Sequence, residues 1–449
     1  VIPDFFYDSK HASHFEKKKN MAAMLKERLP RRIIKLFKDL GNVADMLGYN
    51  AYLVGGLVRD IFLKQENLDL DVVIEGDGIK FAHEFAEQYE VRVRSHRKFG
   101  TAVLIFPDGF KVDVATARME YYESPAAPPT VETSSLKMDL FRRDFTMNTL
   151  AVKLNKREYG VLVDYFGGQK DLKEKVIRVL HNLSFVEDPT RVLRAIRFEQ
   201  RFGFRIGKLT LSLIKNAVKI NCFEELSGRR LFLELKLLLK EQAPLQAIKR
   251  MNEFRLLQFI SPEIGFTKDQ KTLLQEIEGV ISWFNLLYLE EPYEPWKVYW
   301  HGLTSPLDAK ALHRLAEKMQ MVDQESRKMI WDREQMGGVL EKLYRLKVDD
   351  NYEIYTLLSH YDTEILLYMM ARLNIEKTKR MISNYFTKLK GTRVMLKGKD
   401  LKHMGVKPGP IYREIFDGLL KARLNNLIST KDEEAVFVKE MFGSHLGTA

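Results

Sequence analysis

Cysteine is almost missing from this chain: Cys222 is the single one in 449 residues. That excludes an intramolecular disulfide and any zinc or iron–sulfur site built from several thiolates, and it fits a reducing compartment. No apolar run reaches the ~18 residues a membrane-crossing helix needs. The start, Val1-Ile2-Pro3-Asp4-Phe5-Phe6, lacks a basic segment followed by an apolar one, so it does not read as a secretory signal. A cytoplasmic protein is the expectation. Repeats of fixed period are absent too. Positive charge, by contrast, is plentiful: 72 Lys and Arg against 61 Asp and Glu give +11. Such a field favours a polyanionic partner, most simply nucleic acid, through release of counterions from phosphates.

The hydrophobic pattern changes character along the chain. Residues 1–25 are polar and basic and read as an N-terminal arm; a start at Val1 rather than Met fits a piece of a longer chain. Pro30 opens a helical pattern through Ile33, Ile34, Leu36, Phe37, Leu40, Val43, Met46 and Leu47, closed by Gly48. Strands are predicted at 51–54, 69–75, 91–93, 102–106 and 111–117, with the last two forming a hairpin across Pro107-Asp108-Gly109. Helices are predicted at 57–63 and 79–89. After about residue 183 the strand signals stop and helical patterns follow one another. The expected fold class is α+β: a small mixed-sheet head followed by an all-helical neck, body and tail.

The head carries a constellation suited to phosphate chemistry. Asp69 and Asp71 lie two apart on a predicted strand, so their side chains project from one face. Asp113, on a second strand, could stand beside them. Three carboxylates converging from neighbouring strands would hold two Mg²⁺ ions, which activate a hydroxyl and steady a departing pyrophosphate. Upstream, Gly55-Gly56 sits between a strand and a helix, where bare N–H groups can cradle phosphate, and Arg59 could clamp the same anion.

Leu53-Val54-Gly55-Gly56-Leu57-Val58-Arg59-Asp60 followed by Asp69-Leu70-Asp71-Val72-Val73 resembles the head motif of class II tRNA nucleotidyltransferases and bacterial poly(A) polymerases, within the DNA polymerase beta nucleotidyltransferase superfamily. The resemblance implies that Asp69 and Asp71 are metal ligands, that the third carboxylate falls on Asp113, and that Gly55, Gly56 and Arg59 contact the triphosphate. Arg142-Arg143-Asp144-Phe145-Thr146-Met147-Asn148 resembles a second family motif. It implies that Asp144 and Asn148 support the ribose end, with Arg142 or Arg143 on phosphate. Glu187-Asp188-Pro189-Thr190-Arg191 resembles the family's Glu-Asp-x-x-Arg motif.

Locally, Asp188 and Pro189 also read as a helix start. Asp188, Arg191, Arg194 and Arg197 recur every three residues as a polar stripe whose three cations call for an anion, which a triphosphate and an RNA end would supply. Cytosine and adenine each show an amino donor beside a ring-nitrogen acceptor; guanine and uracil show the reverse. A carboxylate that only accepts and a guanidinium that only donates therefore suit C and A. Wrong bases would leave buried polar groups unpaired and be rejected. Asp188 with Arg191 thus reads as a protein template.

The Pro/Ala-rich stretch 119–130 is predicted to be a mobile loop, which by the resemblance argues for addition of A. tRNA contacts are expected from Arg229, Arg230, Lys397, Lys399, Lys402 and Lys407; Lys407-Pro408-Gly409-Pro410 makes a turn before a helix. The aromatic run from Trp283 to Trp300 reads as core. The expected parts are an arm (1–25), a catalytic head (26–182), a neck carrying the base-selecting helix (183–265), a body (266–375) and a tRNA-binding tail (376–449). Function is read as template-independent completion of the 3′-terminal CCA of tRNA from CTP and ATP. Within the same family the alternatives are addition of A alone or poly(A) synthesis. An adenylyltransferase for a small acceptor would leave the helical body and the +11 charge without a purpose.

Overall fold

The computed structural model describes residues 19–121 and 130–443. The chain divides into two compact units, residues 1–227 and 228–449. The expected neck, 183–265, runs across that division.

In the first unit, helices α1 (Ala22–Arg28) and α2 (Arg31–Leu47) precede strand β1 (Asn50–Val54). Helix α2 buries Ile33, Ile34, Leu36, Phe37, Leu40 and Val43 of the predicted stripe, leaves Met46 exposed, and ends at Gly48 in the left-handed conformation. Helix α3 (Gly56–Leu63) leads to β2 (Leu70–Glu75), and α4 (Gly78–Tyr89) leads to β3 (Arg92–His96), β4 (Thr101–Ile105) and β5 (Lys111–Thr116). Asp77 caps α4 by accepting from the N–H groups of Ile79 and Lys80. Strands β6 (Arg118–Tyr121) and β7 (Thr130–Thr133) form a separate antiparallel pair. Helix α5 (Leu136–Phe141), β8 (Ala151–Lys153), β9 (Leu162–Val163) and α6 (Gly168–Glu174) complete the head.

The main sheet has the order β3-β4-β5-β2-β1-β8-β9. Its central strand β2 runs antiparallel to β1, with Val54 opposite Asp71, and parallel to β5, with Asp71 opposite Asp113. Val72, Val73 and Ile74 of β2 and Val112 and Val114 of β5 are buried. The acidic end of β2 therefore rests on a packed centre. The predicted hairpin is β4–β5, antiparallel with Thr101 opposite Ala115.

Two expectations are corrected. The stretch 119–130 is not loop throughout, because Met119–Tyr121 and Thr130 belong to β6 and β7; its centre, 122–129, lies outside the described residues, as does most of the N-terminal arm. Strand signals also do not stop completely near 183. Strand β10 (Val176–Ile177) pairs in parallel with β11 (Arg205–Ile206), which lies between α8 (Thr190–Phe202) and α9 (Lys208–Lys219). Helix α7 (Ser184–Glu187) precedes α8. Pairs this short carry no readable alternation.

The second unit is helical. It comprises α10 (Gly228–Leu239), α11 (Pro244–Glu253), α12 (Leu257–Ile260), α13 (Lys268–Asn285), α14 (Pro295–Leu303), α15 (Ala309–Lys318) and α16 (Gln324–Arg345). There follow α17 (Asn351–Leu358), α18 (Thr363–Arg372), α19 (Glu376–Asn384), a π-helical turn over Tyr385–Leu389, α20 (Gly398–His403), α21 (Ile411–Leu424) and α22 (Lys431–Phe442). Phe284, Trp296, Tyr299 and Trp300 are buried, as the core reading of the aromatic run requires, whereas Tyr288 of that run is exposed. The C-terminal helices close around Leu396, Leu401, Val406, Ile415, Leu419 and Val438. Glu434, fully buried there, accepts from the backbone of Met395 and Leu396 and from Arg423. No helix among the described residues is long and apolar enough to cross a membrane.

Candidate active site

The site begins at the turn between β1 and α3. Gly55 has φ 77° and ψ −140°, a backbone open to glycine and strained for other residues. A Cβ there would stand 3.0 Å from Oδ2 of Asp71 and 3.2 Å from Nη1 of Arg143. The bare turn, a carboxylate and a guanidinium thus meet at one point. At Gly56 a Cβ would make only ordinary contacts, 3.4 Å to Nδ2 of Asn67 and 3.6 Å to Nη2 of Arg59.

Asp71 and Asp113 stand side by side in register, and Asp69 immediately precedes β2. Burial, followed by the charges of Asp69 and Asp113, pushes the Asp71 carboxyl up to about 6, although Arg143 opposes the rise. Burial and Asp69 raise Asp113 as well. The three carboxylates therefore feel one another, yet they do not form the ligand cluster expected of them. Among the described residues no three Asp, Glu, His or Cys side chains gather closely enough to hold a metal ion. Like charges repel, and Asp69 and Asp113 turn toward solvent. The residues still fit Mg²⁺, which takes one or two carboxylates and completes its shell with water and substrate phosphate.

Arg59, expected at the triphosphate, is held within the protein. It is 5% exposed; its Nε and Nη2 donate to Asp60 (2.7 and 2.9 Å) and its Nη1 to Oδ1 of Asn148 (2.8 Å). The guanidinium of Arg143 reaches the turn as well, at Gly55. Its Nη2 donates to Asp139 at 3.3 Å, and its buried Nε has no hydrogen-bond partner among the described residues. A buried donor left unpaired beside a glycine turn suits an anion. Arg142 donates to Asp139 and to Glu120 (2.7 Å each).

The second arginine motif and helix α8 share one polar core. Oδ1 of Asp144 accepts from the Phe145 N–H and from Nδ2 of Asn148, and Oδ2 accepts from Arg194 at 2.8 Å. Burial pushes the Asp144 carboxyl up, but Arg194, Asn148 and Arg191 outweigh it and hold it at about 2. Arg194 is thus answered by a protein carboxylate, which corrects the expectation that the α8 stripe needs an external anion at that position. Asp144 and Asn148, expected at the ribose end, make these bonds within the protein.

Arg191, 5% exposed, donates to Oγ of Ser184 (2.8 Å) and to the carbonyl of Arg142 (2.7 Å). One oxygen of Asp188 accepts from the N–H and hydroxyl of Thr190, the helix-start role that its position allows. A base-reading edge made by Asp188 and Arg191 requires these bonds to open. Arg197 is buried, its guanidinium 5.2 Å from the centre of the Phe198 ring. His181, against the Phe141 ring, is driven down to about 4 by burial and by Arg191. It is neutral at pH 7, although Glu187 lies 3.4 Å away.

With this geometry, the comparisons with known proteins take their place. Residues 51–178 match the family described as Poly A polymerase head domain, and residues 203–266 match the one described as Probable RNA and SrmB- binding site of polymerase A. The A-adding tRNA nucleotidyltransferase of Geobacter sulfurreducens is 49% identical over 422 residues, 93% of this chain and 48% of that protein. The A-adding tRNA nucleotidyltransferase of Aquifex aeolicus is 39% identical over 381 residues, 84% of this chain and 45% of that protein. The solved structure of the Thermotoga maritima CCA-adding enzyme complexed with tRNA has a TM-score of 0.70 at 32% identity, covering 94% of this chain and 99% of that one. The chain belongs to the tRNA nucleotidyltransferase and poly(A) polymerase family. It spans about half the length of the two curated relatives.

The head match begins at β1 and ends at β10, so it contains the glycine turn, the three carboxylates and the second arginine motif. Several groups at the site had no signal in the sequence. Asp139 and Glu120, which hold Arg142 and Arg143, look like ordinary helix and strand acids. Ser184, the anchor of Arg191, belongs to no motif. Asp60 belongs to the head motif and Asn67 lies between its two parts, but nothing in their spacing assigns them a task. Of the basic residues expected to meet RNA, Arg229, Lys397, Lys399, Lys402 and Lys407 are exposed and Arg230 is half-buried, all in the second unit. Lys397 and Lys399 flank the start of α20, and Lys407 precedes α21.

Proposed function

We propose that the protein transfers nucleotides from nucleoside triphosphates to the 3′ end of tRNA without a nucleic-acid template, releasing pyrophosphate. The observation that carries this reading is the meeting of Gly55, Asp71 and Arg143 at one point, with Asp69 and Asp113 alongside. Gly55 and Arg143 receive the triphosphate, and Asp69 and Asp71 hold Mg²⁺, with Asp113 beside them. When bound, the metal supplies positive charge that favours the attacking alkoxide and offsets charge on the leaving pyrophosphate. Asp139 keeps Arg143 aimed at the turn. Catalysis by these groups is positioning and electrostatics.

The nucleotide added last, A, is favoured by the two A-adding relatives. Completion of CCA from CTP and ATP is the second reading, supported by the CCA-adding structure that aligns with 94% of the chain. Selection of C and A is assigned to Asp188 and Arg191, with Arg191 leaving Ser184 and the Arg142 carbonyl to meet the base. Incubation with tRNAs ending before CCA, after C and after CC, each with CTP or ATP, tests all of this. Incorporation of A only on the CC-ended tRNA supports A addition. Stepwise growth from the shortest primer supports CCA addition, and long A tracts indicate a poly(A) polymerase. No incorporation with any primer would remove the proposal.

A further inference from the structure

The mechanism makes no use of Asn67, yet this residue joins two parts of the site. Its Oδ1 accepts from the N–H of Asp69 at 2.8 Å, and its Nδ2 donates to Oδ2 of Asp60 at 2.7 Å. Asp60 is 1% exposed and paired with Arg59 through both oxygens. Arg59 donates onward to Asn148, Asn148 to Asp144, and Arg194 donates to the other oxygen of Asp144. The result is an unbroken row of hydrogen bonds from the backbone of Asp69, before the central strand, to helix α8. The amide of Asn67 cannot be reversed within it. Its oxygen must face the Asp69 N–H, and its nitrogen must face a carboxylate that only accepts.

We infer that Asn67 is a positioning residue for the metal-binding carboxylate of Asp69, holding it by its backbone to the buried Asp60–Arg59 pair. The inference rests on the metal reading given under Proposed function. Asp69 needs such a tether because it precedes the first ladder pair of β2, Leu70 with Val112, and is exposed, so the sheet does not fix it. Three neighbouring carboxylates would otherwise drift apart, and their spacing decides how well they share a cation.

Three proteins test the idea: the wild type, Asn67→Ala, and Asn67→Ser. The serine hydroxyl can still accept from the Asp69 N–H, but it is too short to reach Asp60 as well. Mn²⁺ binding is read from loss of the free-ion EPR signal without ATP or tRNA, against a protein-free control. Nucleotide incorporation and thermal unfolding are measured on the same samples. Both variants should raise the half-saturating Mn²⁺ concentration about tenfold, the equivalent of one lost hydrogen bond to a charged group. Their kcat should fall at limiting metal and recover at saturating metal, with KM for tRNA unchanged and the melting temperature lowered by no more than about 6 °C. Wild-type metal affinity in both variants would overturn the inference. So would wild-type affinity in Asn67→Ser alone, because the local turn would then suffice without Asp60. Asp71→Asn serves as the control for the site itself. A wild-type protein that binds Mn²⁺ no better than Asp71→Asn would overturn the metal reading and this inference together.

Discussion

At the scale of single residues, the two glycines of the turn have different reasons to be glycine. Gly55 combines a positive φ with a Cβ position pressed against Asp71 and Arg143, so Gly55→Ala should cost both fold and chemistry. A loss of about 1–3 kcal/mol in urea unfolding is expected, with activity near zero. Gly56 has room for a methyl group. Gly56→Ala should leave the unfolding midpoint nearly unchanged, so any large loss of kcat/KM for ATP would come from a phosphate that must approach the bare backbone. Unchanged kinetics in Gly56→Ala would take Gly56 out of the phosphate cradle. The sequence pointed to both glycines and to Asp69, Asp71 and Asp113 because strand spacing and turn chemistry are local. It pointed to Arg59 for the same reason. One turn past a glycine loop an arginine looks like a clamp, and only the tertiary fold reveals that Asp60 and Asn148 already hold it.

At the scale of elements, helix α8 was legible as a helix start, but the partners of its arginines were not. Those partners come from sequence positions 7 to 50 residues away: Ser184, Arg142 and Asp144. Arg191→Ala should lower discrimination of ATP and CTP against GTP and UTP more than it lowers the rate with the correct nucleotide. Unchanged discrimination in primer-extension assays would remove Arg191 from base selection. Helix α14 carries a different charge problem. His301 is 2% exposed, lies against the Tyr368 ring, and its Nδ1 has no hydrogen-bond partner among the described residues. Burial, helped by Arg333 and Lys297, drives it down from 6.5 to about 3. Between those values the unfolded chain binds a proton that the folded chain refuses, so this group destabilises the fold as pH falls from about 6.5 toward 3. Its share of the slope cannot exceed about 1.4 kcal/mol per pH unit. His301→Gln should therefore lose less stability than wild type between pH 7 and pH 5 in urea titrations. Parallel losses would assign the acid sensitivity to other groups.

At the scale of the whole molecule, the α+β head and helical remainder follow from hydrophobic period alone, whereas the short pairs β6–β7, β8–β9 and β10–β11 needed tertiary context. On the proposed function, the excess of 11 positive charges makes binding of tRNA a salt-dependent process. Replacing Lys397, Lys399, Lys402 and Lys407 together by alanine should raise KM for tRNA several-fold at 150 mM salt and flatten its dependence on salt concentration by about 2–4 units of log–log slope. Half-saturating ATP should stay the same; an unchanged salt slope would place the RNA elsewhere. The sole thiol, Cys222, is 5% exposed, and burial raises its pKa, so it is a poor nucleophile at neutral pH. Maleimide reagents should pass it by, and a cysteine introduced on the surface of each unit could then carry a spin label or fluorophore without first stripping out a native one. Separations between the two labels, recorded with and without tRNA, would follow substrate engagement in the otherwise unaltered protein.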